Sequence, residues 1–231
     1  MDSPEIIMRP VAHIHSDFAS KFGIPKQSGL VPSLSARVVF EQEFRSADAL
    51  RGIEGYSHLW LLWRFSASVL PAGAPFSPTV RPPRLGGNIR IGVFASRSPF
   101  RPNSIGLSCV ELEKVDYDDP EGPVLVVRGA DLMDGTPILD VKPYVPYADS
   151  RPEATGGFTD RVAARTVRCV FPPDLLERIP PDKREALIGV LEQDPRPSYQ
   201  DDPERTYGFG FAGREIRFRV TDGILTVTDV Q

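Results

Sequence analysis

The chain is short of the residues on which several common chemistries depend. It has two cysteines, Cys109 and Cys169, far apart and each inside an apolar, strand-like run. A disulfide framework or a cysteine zinc site is not supported, and each thiol reads as a small buried hydrophobe. Three histidines, His13, His15 and His58, stand without carboxylates at ligand spacing, so no metal is expected. No stretch approaches the roughly 20 apolar residues of a membrane span. The start carries Asp2 and Glu5 and no signal-peptide core, so a reduced cytoplasmic setting is the expectation. There is no Walker loop, no Gly-x-Gly-x-x-Gly and no Gly-x-Ser-x-Gly. P-loop and Rossmann readings are thereby unsupported, and the odds of a hydrolase fall.

A further absence is local. Between Gly55 and Val110 there is no aspartate or glutamate, while Arg64, Arg81, Arg84, Arg90, Arg97 and Arg101 all fall there. The net charge is −4, so a segment of +6 leaves −10 for the rest. An acidic protein with one acid-free arginine segment is suited to meeting an anion locally, either phosphate or carboxylate. The alternative is that these arginines pair with acids elsewhere in the fold.

Proline is abundant instead, 24 in 231 residues, against a usual share of about 5%. Because proline breaks helix interiors, the first two thirds should not be mostly helical. Strands are expected at 37–40, 59–65, 89–94, 105–115, 124–127 and 138–141, each rich in Val, Ile, Leu or Phe and bounded by Gly, Pro, Asn or Asp. One short helix fits 46–51, with Ser46 as N-cap and Gly52 as terminator. An antiparallel barrel or sandwich follows for residues 1–150. Residues 151–159 read as a linker, and 160–231 as a small α+β domain. Its helices are expected at 174–178 and 182–193, the second capped by Asp182. Its strands are expected at 207–212, 216–221 and 224–229, the last two joined through Asp222-Gly223.

Two stretches concentrate the polar groups. Arg97-Ser98-Pro99-Phe100-Arg101-Pro102-Asn103-Ser104-Ile105-Gly106 is a proline-fixed loop running into a strand. Arginine there either grips a carboxylate or is simply solvated. Gly106 would admit a ligand or a backbone at close range. The second stretch runs from Asp131 to Tyr144, with a turn at Asp134-Gly135-Thr136-Pro137. Asp131 either caps that turn or serves a site. Asp140 needs a partner if it faces inward, and Lys142, two residues on, shares its face. An internal ion pair and a catalytic role both remain open for these two. Tyr144 and Tyr147 are strand aromatics or base-stacking platforms. Tyr207, Phe209 and Phe211, alternating with Gly208 and Gly210, are strand packing or a stacking surface.

At these motifs the chain resembles the TrmO (TsaA-like) family of tRNA methyltransferases. The resemblance rests on Ser96 through Ser108, Asp131 through Tyr144, Arg81-Pro82-Pro83-Arg84-Leu85-Gly86-Gly87-Asn88, Ser57-His58-Leu59-Trp60 and Leu191 through Tyr199. It covers nearly the whole chain. It implies a mainly β fold, in which an antiparallel barrel without a Rossmann fold binds S-adenosylmethionine beside a small C-terminal α+β domain. It implies a homodimer, and methyl transfer to N6 of N6-threonylcarbamoyladenosine at position 37 of tRNA, beside the anticodon. Cofactor contacts would fall on Pro25, Lys26, Gln27, Arg97 and Leu107, and on Asp131, Leu132, Met133 and Asp134. Lys26 stands where arginine is common, Ser104 where proline is, and Ser66-Ala67 where a histidine-glutamine pair is. Asp134, Lys142 and Tyr144 are candidates to handle the acceptor proton. Arg81, Arg84, Arg90, Arg101, Arg205 and Arg217, with Arg214 and Arg219, are candidates for tRNA phosphates. The competing readings are an S-adenosylmethionine sensor, an RNA-binding adaptor, or a methyltransferase with another acceptor. Removal of the C-terminal domain is expected to abolish tRNA activity and spare cofactor binding.

Overall fold

A computed structural model describes residues 6–67, 74–82, 89–161, 166–196 and 202–231. Six antiparallel strands close into a barrel in the order β1-β2-β7-β6-β3-β8. They are β1 (Ala12–His15), β2 (Ser35–Phe40), β3 (His58–Arg64), β6 (Ile105–Asp116), β7 (Val124–Arg128) and β8 (Thr136–Pro143). Alternate residues point inward, so Ile14, Val38, Leu59, Leu61, Leu125, Val127 and Ile138 fill the lumen and are fully buried. Bulges between Leu62 and Trp63 and between Leu112 and Lys114 bend the two longest-paired strands as closure requires.

The C-terminal part is a four-stranded sheet, β10-β11-β12-β9. It comprises β9 (Arg168–Val170), β10 (Tyr207–Phe211), β11 (Arg214–Thr221) and β12 (Ile224–Val230), with β9 parallel to β12. Asp222 and Gly223 both take positive φ, 51° and 75°, the geometry of a tight hairpin turn whose twist matches its strands. Helix α3 (Arg184–Glu192) covers the sheet with Ala186, Leu187, Val190 and Leu191. Shorter helices, α1 (Pro146–Asp149) and α2 (Pro173–Leu176), begin at prolines suited to a first turn.

Several local expectations change in detail. Residues 47–50 form a 3₁₀ turn, and the Ser46 side chain caps nothing. Gly52, at φ 88°, then opens a second such turn at Ile53–Gly55. The strand expected over 89–94 shrinks to β5 (Ile91–Gly92), paired with β4 (Thr79–Val80), because the chain coils into a 3₁₀ turn at Val93–Ala95. Asp182 lies in a 3₁₀ turn ahead of α3 and does not cap it. Tyr207, Phe209 and Phe211 are buried in the C-terminal core, so they are packing residues rather than an exposed stacking surface. Both cysteines are free and half-buried. Burial pushes the Cys169 thiol up to about 11, and Glu192 adds to this.

The two parts share one segment. Residues 16–34, between β1 and β2, leave the barrel, and Phe18, Val31 and Leu34 join the C-terminal core. Burying Phe18 there is worth about 1.5–3 kcal/mol. The same segment returns to the barrel at Gly29, whose N–H donates to the Gly129 carbonyl at 2.8 Å.

Candidate active site

A cavity of about 760 Å³ opens where this segment meets one end of the barrel. That volume lies within the range of small-molecule sites. Three of the pieces of chain that wall it carry the expected cofactor residues. Lys21, Ile24, Pro25, Lys26 and Gln27 come from the shared segment. Ser96, Arg97, Arg101 and Leu107 come from the proline-fixed loop and the start of β6. Asp131, Leu132, Met133 and Thr136 come from the turn between β7 and β8. Eight of the nine residues expected at the cofactor therefore converge. The ninth, Asp134, is not in the lining. Its carboxylate accepts from the Ser16 N–H at 3.1 Å and pairs with His15 Nδ1 at 3.3 Å, which fastens the turn to the end of β1.

Asp131 organises the polar side. Ser108 is buried among the apolar residues of β6, and its hydroxyl donates to Asp131 Oδ1 at 2.6 Å. Trp63 Nε1 donates in turn to Ser108 Oγ at 3.0 Å. Burial pushes the Asp131 carboxyl above its usual range, while the Ser108 hydrogen bond and the Arg97 charge pull it back. Arg97 is held by a hydrogen bond from its guanidinium to the Gln27 side-chain oxygen. The cavity thus sets a cation and a buried anion in one wall system, a pattern suited to a zwitterionic ligand. On the apolar side Trp63 and Phe65 meet edge to face at 4.3 Å, and both line the cavity. Gly106 makes this possible, because a Cβ there would overlap the indole. The close approach expected at Gly106 is made by a side chain of the opposite strand.

Sequence reasoning missed Trp63, Phe65, Phe94 and Ser108 as lining or supporting residues. Only Ser108 carried a usable signal, as a lone hydroxyl in an apolar strand. Ser66 and Ala67 also line the cavity.

Lys142 and Tyr144 lie elsewhere. Lys142 is six residues along β8 from Thr136, roughly 20 Å of extended chain. It pairs with Asp140 at 2.9 Å on the half-exposed outer surface, so Asp140 does not face the core. Tyr144 packs on Trp60 at 5.8 Å, and Tyr147 is exposed.

Among the described residues, Arg64, Arg81, Arg90, Arg97 and Arg101 make no ion pair with a carboxylate. Arg101 lines the cavity and donates to the Ser96 carbonyl at 3.1 Å. Arg81 and Arg90 are exposed, and Arg84 lies outside the described residues. On the C-terminal sheet Arg205 stacks over the Tyr207 ring at 5.4 Å. Arg214, Arg217 and Arg219 are exposed along β11. No group of three or more His, Cys, Asp or Glu side chains converges as metal ligands among the described residues. No described helix is long and apolar enough to cross a membrane.

Comparison with known proteins identifies the family of the chain. Residues 13–150 match the family of the tRNA-methyltransferase O N-terminal domain, and residues 173–231 that of the TrmO C-terminal domain. A tRNA (adenine(37)-N6)-methyltransferase of Escherichia coli is 41% identical over 217 residues, covering 90% of this chain and 91% of that one. A Pseudomonas aeruginosa protein, RcsF, provisionally named an S-adenosylmethionine-dependent methyltransferase, is 39% identical over 86% of each chain. The crystal structure of TrmO from Pseudomonas aeruginosa matches with a TM-score of 0.79 at 31% identity, covering 100% of this chain and 98% of that one. With both domain families matched in order and relatives at this level of identity along nearly its full length, the chain belongs to the tRNA-methyltransferase O family.

Proposed function

We propose that this protein is an S-adenosylmethionine-dependent tRNA methyltransferase acting on N6 of adenosine 37. The observation that carries the reading is the cavity that brings Arg97 and the buried Asp131 together beside Trp63 and Phe65. A carboxylate, an ammonium, ribose hydroxyls and an adenine need a cation, an anion and apolar walls, and this chain supplies all three. Arg97, already oriented by Gln27, would hold the cofactor carboxylate. Asp131 would accept from the ammonium or a ribose hydroxyl, a partner that would offset its burial. The bound cofactor supplies an activated methyl group on a sulfonium, so the protein's main task is to hold donor and acceptor in line.

The acceptor is N6-threonylcarbamoyladenosine beside the anticodon, in keeping with the family resemblance. Its nitrogen must give up a proton as the new N–C bond forms. Asp134, at the edge of the Asp131–Asp134 turn, is the member of the proposed acid–base group that stands nearest the cavity lining. Lys142 and Tyr144, at the far end of β8, would reach the reaction only from a second copy, and we assign a homodimer to the working enzyme. Arg81, Arg84, Arg90 and Arg101 on one side, and Arg205 and Arg217 on the other, are assigned to tRNA phosphates. A cytoplasmic location follows from that substrate.

The test is transfer of tritium from labelled S-adenosylmethionine to tRNA prepared with and without the threonylcarbamoyl group. Label in the modified pool alone is expected. Label in neither pool would favour a cofactor sensor or another acceptor.

A further inference from the structure

One wall of the cavity does not belong to the barrel. Pro25, Lys26 and Gln27 sit on the segment between β1 and β2, and that segment is fastened to the C-terminal sheet before it reaches them. The Ala212 N–H donates to the Asp17 carbonyl at 2.9 Å, and Lys183 Nζ pairs with the Asp17 carboxylate at 2.8 Å in a largely buried contact. Phe18 meets Phe211 edge to face at 5.4 Å, and Phe22 meets Phe209 at 6.4 Å. Gly23, at φ 92°, lies against the Phe209 ring so closely that a Cβ would overlap it. Lys21 and Ile24, on either side of this contact, already line the cavity, and Pro25, Lys26 and Gln27 continue the wall.

We propose that strand β10, through Phe209, is a positioning element for cofactor binding. Phe209 is not one of the residues that line the cavity. It fixes Gly23, and through it the backbone that presents Pro25, Lys26 and Gln27. Gln27 in turn orients Arg97. Loosening Phe209 therefore lets the segment move away from Arg97, at the cost of the preorganised wall. The same strand has Arg217 as the cross-strand neighbour of Gly208, with the arginine exposed. The cofactor wall and the β11 arginine assigned to tRNA, Arg217, are thus backed by a single sheet. The C-terminal part is then a component of the cofactor site, in contrast to the separable module that the sequence suggests.

This inference rests on the cofactor reading above, and calorimetric titration of the full-length protein with S-adenosylhomocysteine separates the two. The variants are Phe209→Leu, Gly23→Ala and the double variant. Val227→Ala serves as control, in the same buried core but on β12, two strands from β10. Phe209→Leu and Gly23→Ala are each expected to raise the dissociation constant roughly tenfold, within the usual size of a coupling between sites. The double variant should lose less than the two together, because a smaller side chain at 209 makes room for the added methyl. Val227→Ala should stay within about twofold even where its melting temperature falls, since a distant core cavity acts on stability. In steady-state transfer the KM for cofactor should rise while the KM for tRNA holds. A wild type that binds, with Phe209→Leu and Gly23→Ala binding equally well, would overturn this inference alone. A wild type that does not bind would overturn the cofactor assignment and the inference with it.

Discussion

Asp131 holds a charge where a charge is costly. Its carboxyl is buried, and the Ser108 hydroxyl, backbone N–H groups of Asp131 and Ser28 and the nearby Arg97 guanidinium do not fully offset the lost hydration. The folded chain keeps the Asp131 proton to higher pH than the unfolded chain does. Stability contributed at this position is therefore present at low pH and is lost as pH rises from the ordinary aspartate range through the raised value. Asp131→Asn keeps an acceptor for Ser108 and removes the charge. It is expected to melt higher than the wild type at pH 7 and to lose that advantage below the ordinary aspartate range, while binding S-adenosylhomocysteine more weakly. Scanning calorimetry at the two pH values, with a binding titration at pH 7, checks both halves. A variant that melts lower at pH 7 and binds as well as wild type would show that Asp131 is a structural group. A destabilised group retained at a binding site is a familiar form of the exchange between stability and function.

At the scale of elements, β3 and β6 carry the apolar side of the cavity, and their registry is what matters. Trp63 pairs with Gly106 and hydrogen-bonds Ser108 two residues on, so both contacts depend on one alignment of the two strands. Gly106→Ala puts a methyl group into the indole. The ring is tied at Nε1 and cannot turn aside without breaking that bond. The expected outcome is a lower melting temperature by several degrees, from an overpacking cost of about 1–3 kcal/mol, together with weaker cofactor binding. Tryptophan fluorescence and thermal melting report the two effects. An unchanged melting curve would mean the ring moves freely. The sequence showed β6 and the glycine because apolar alternation and a Gly at a strand start are local signals. It could not show that tryptophan fills the space, because Trp63 is 43 positions away and only the barrel's registry brings the two together. The short strands were hidden for a related reason. β1 has four residues and β9 has three, so neither is long enough to show a period, and each is held by partners distant in sequence.

At the scale of the molecule, a β-barrel accompanied by a smaller α+β part was legible in the strand and turn pattern. The sharing of residues 16–34 was not. Phe18, Phe22 and Val31 read as ordinary apolar residues of a loop, and nothing local says which core they enter. That α3 presents Gly189 to Val31, where a Cβ would come within 2.8 Å, is likewise visible only in three dimensions. Arg97, Leu107 and the Asp131–Met133 turn come together at the cavity because they are contiguous runs at strand ends, where a scaffold holds loops in place. Lys142 and Tyr144 lie away from that cavity. They share a motif with Asp131, yet an extended strand carries them to the opposite end of the barrel.

The central claim is that this cavity holds the methyl donor through Arg97. The most direct test is titration of S-adenosylhomocysteine into the wild-type protein and into Arg97→Ala. The account predicts one site per chain in the wild type and a dissociation constant at least tenfold higher in the variant, the scale of a lost hydrogen bond to a charged group, about 1.5–3 kcal/mol. Equal affinity in the two proteins would contradict it.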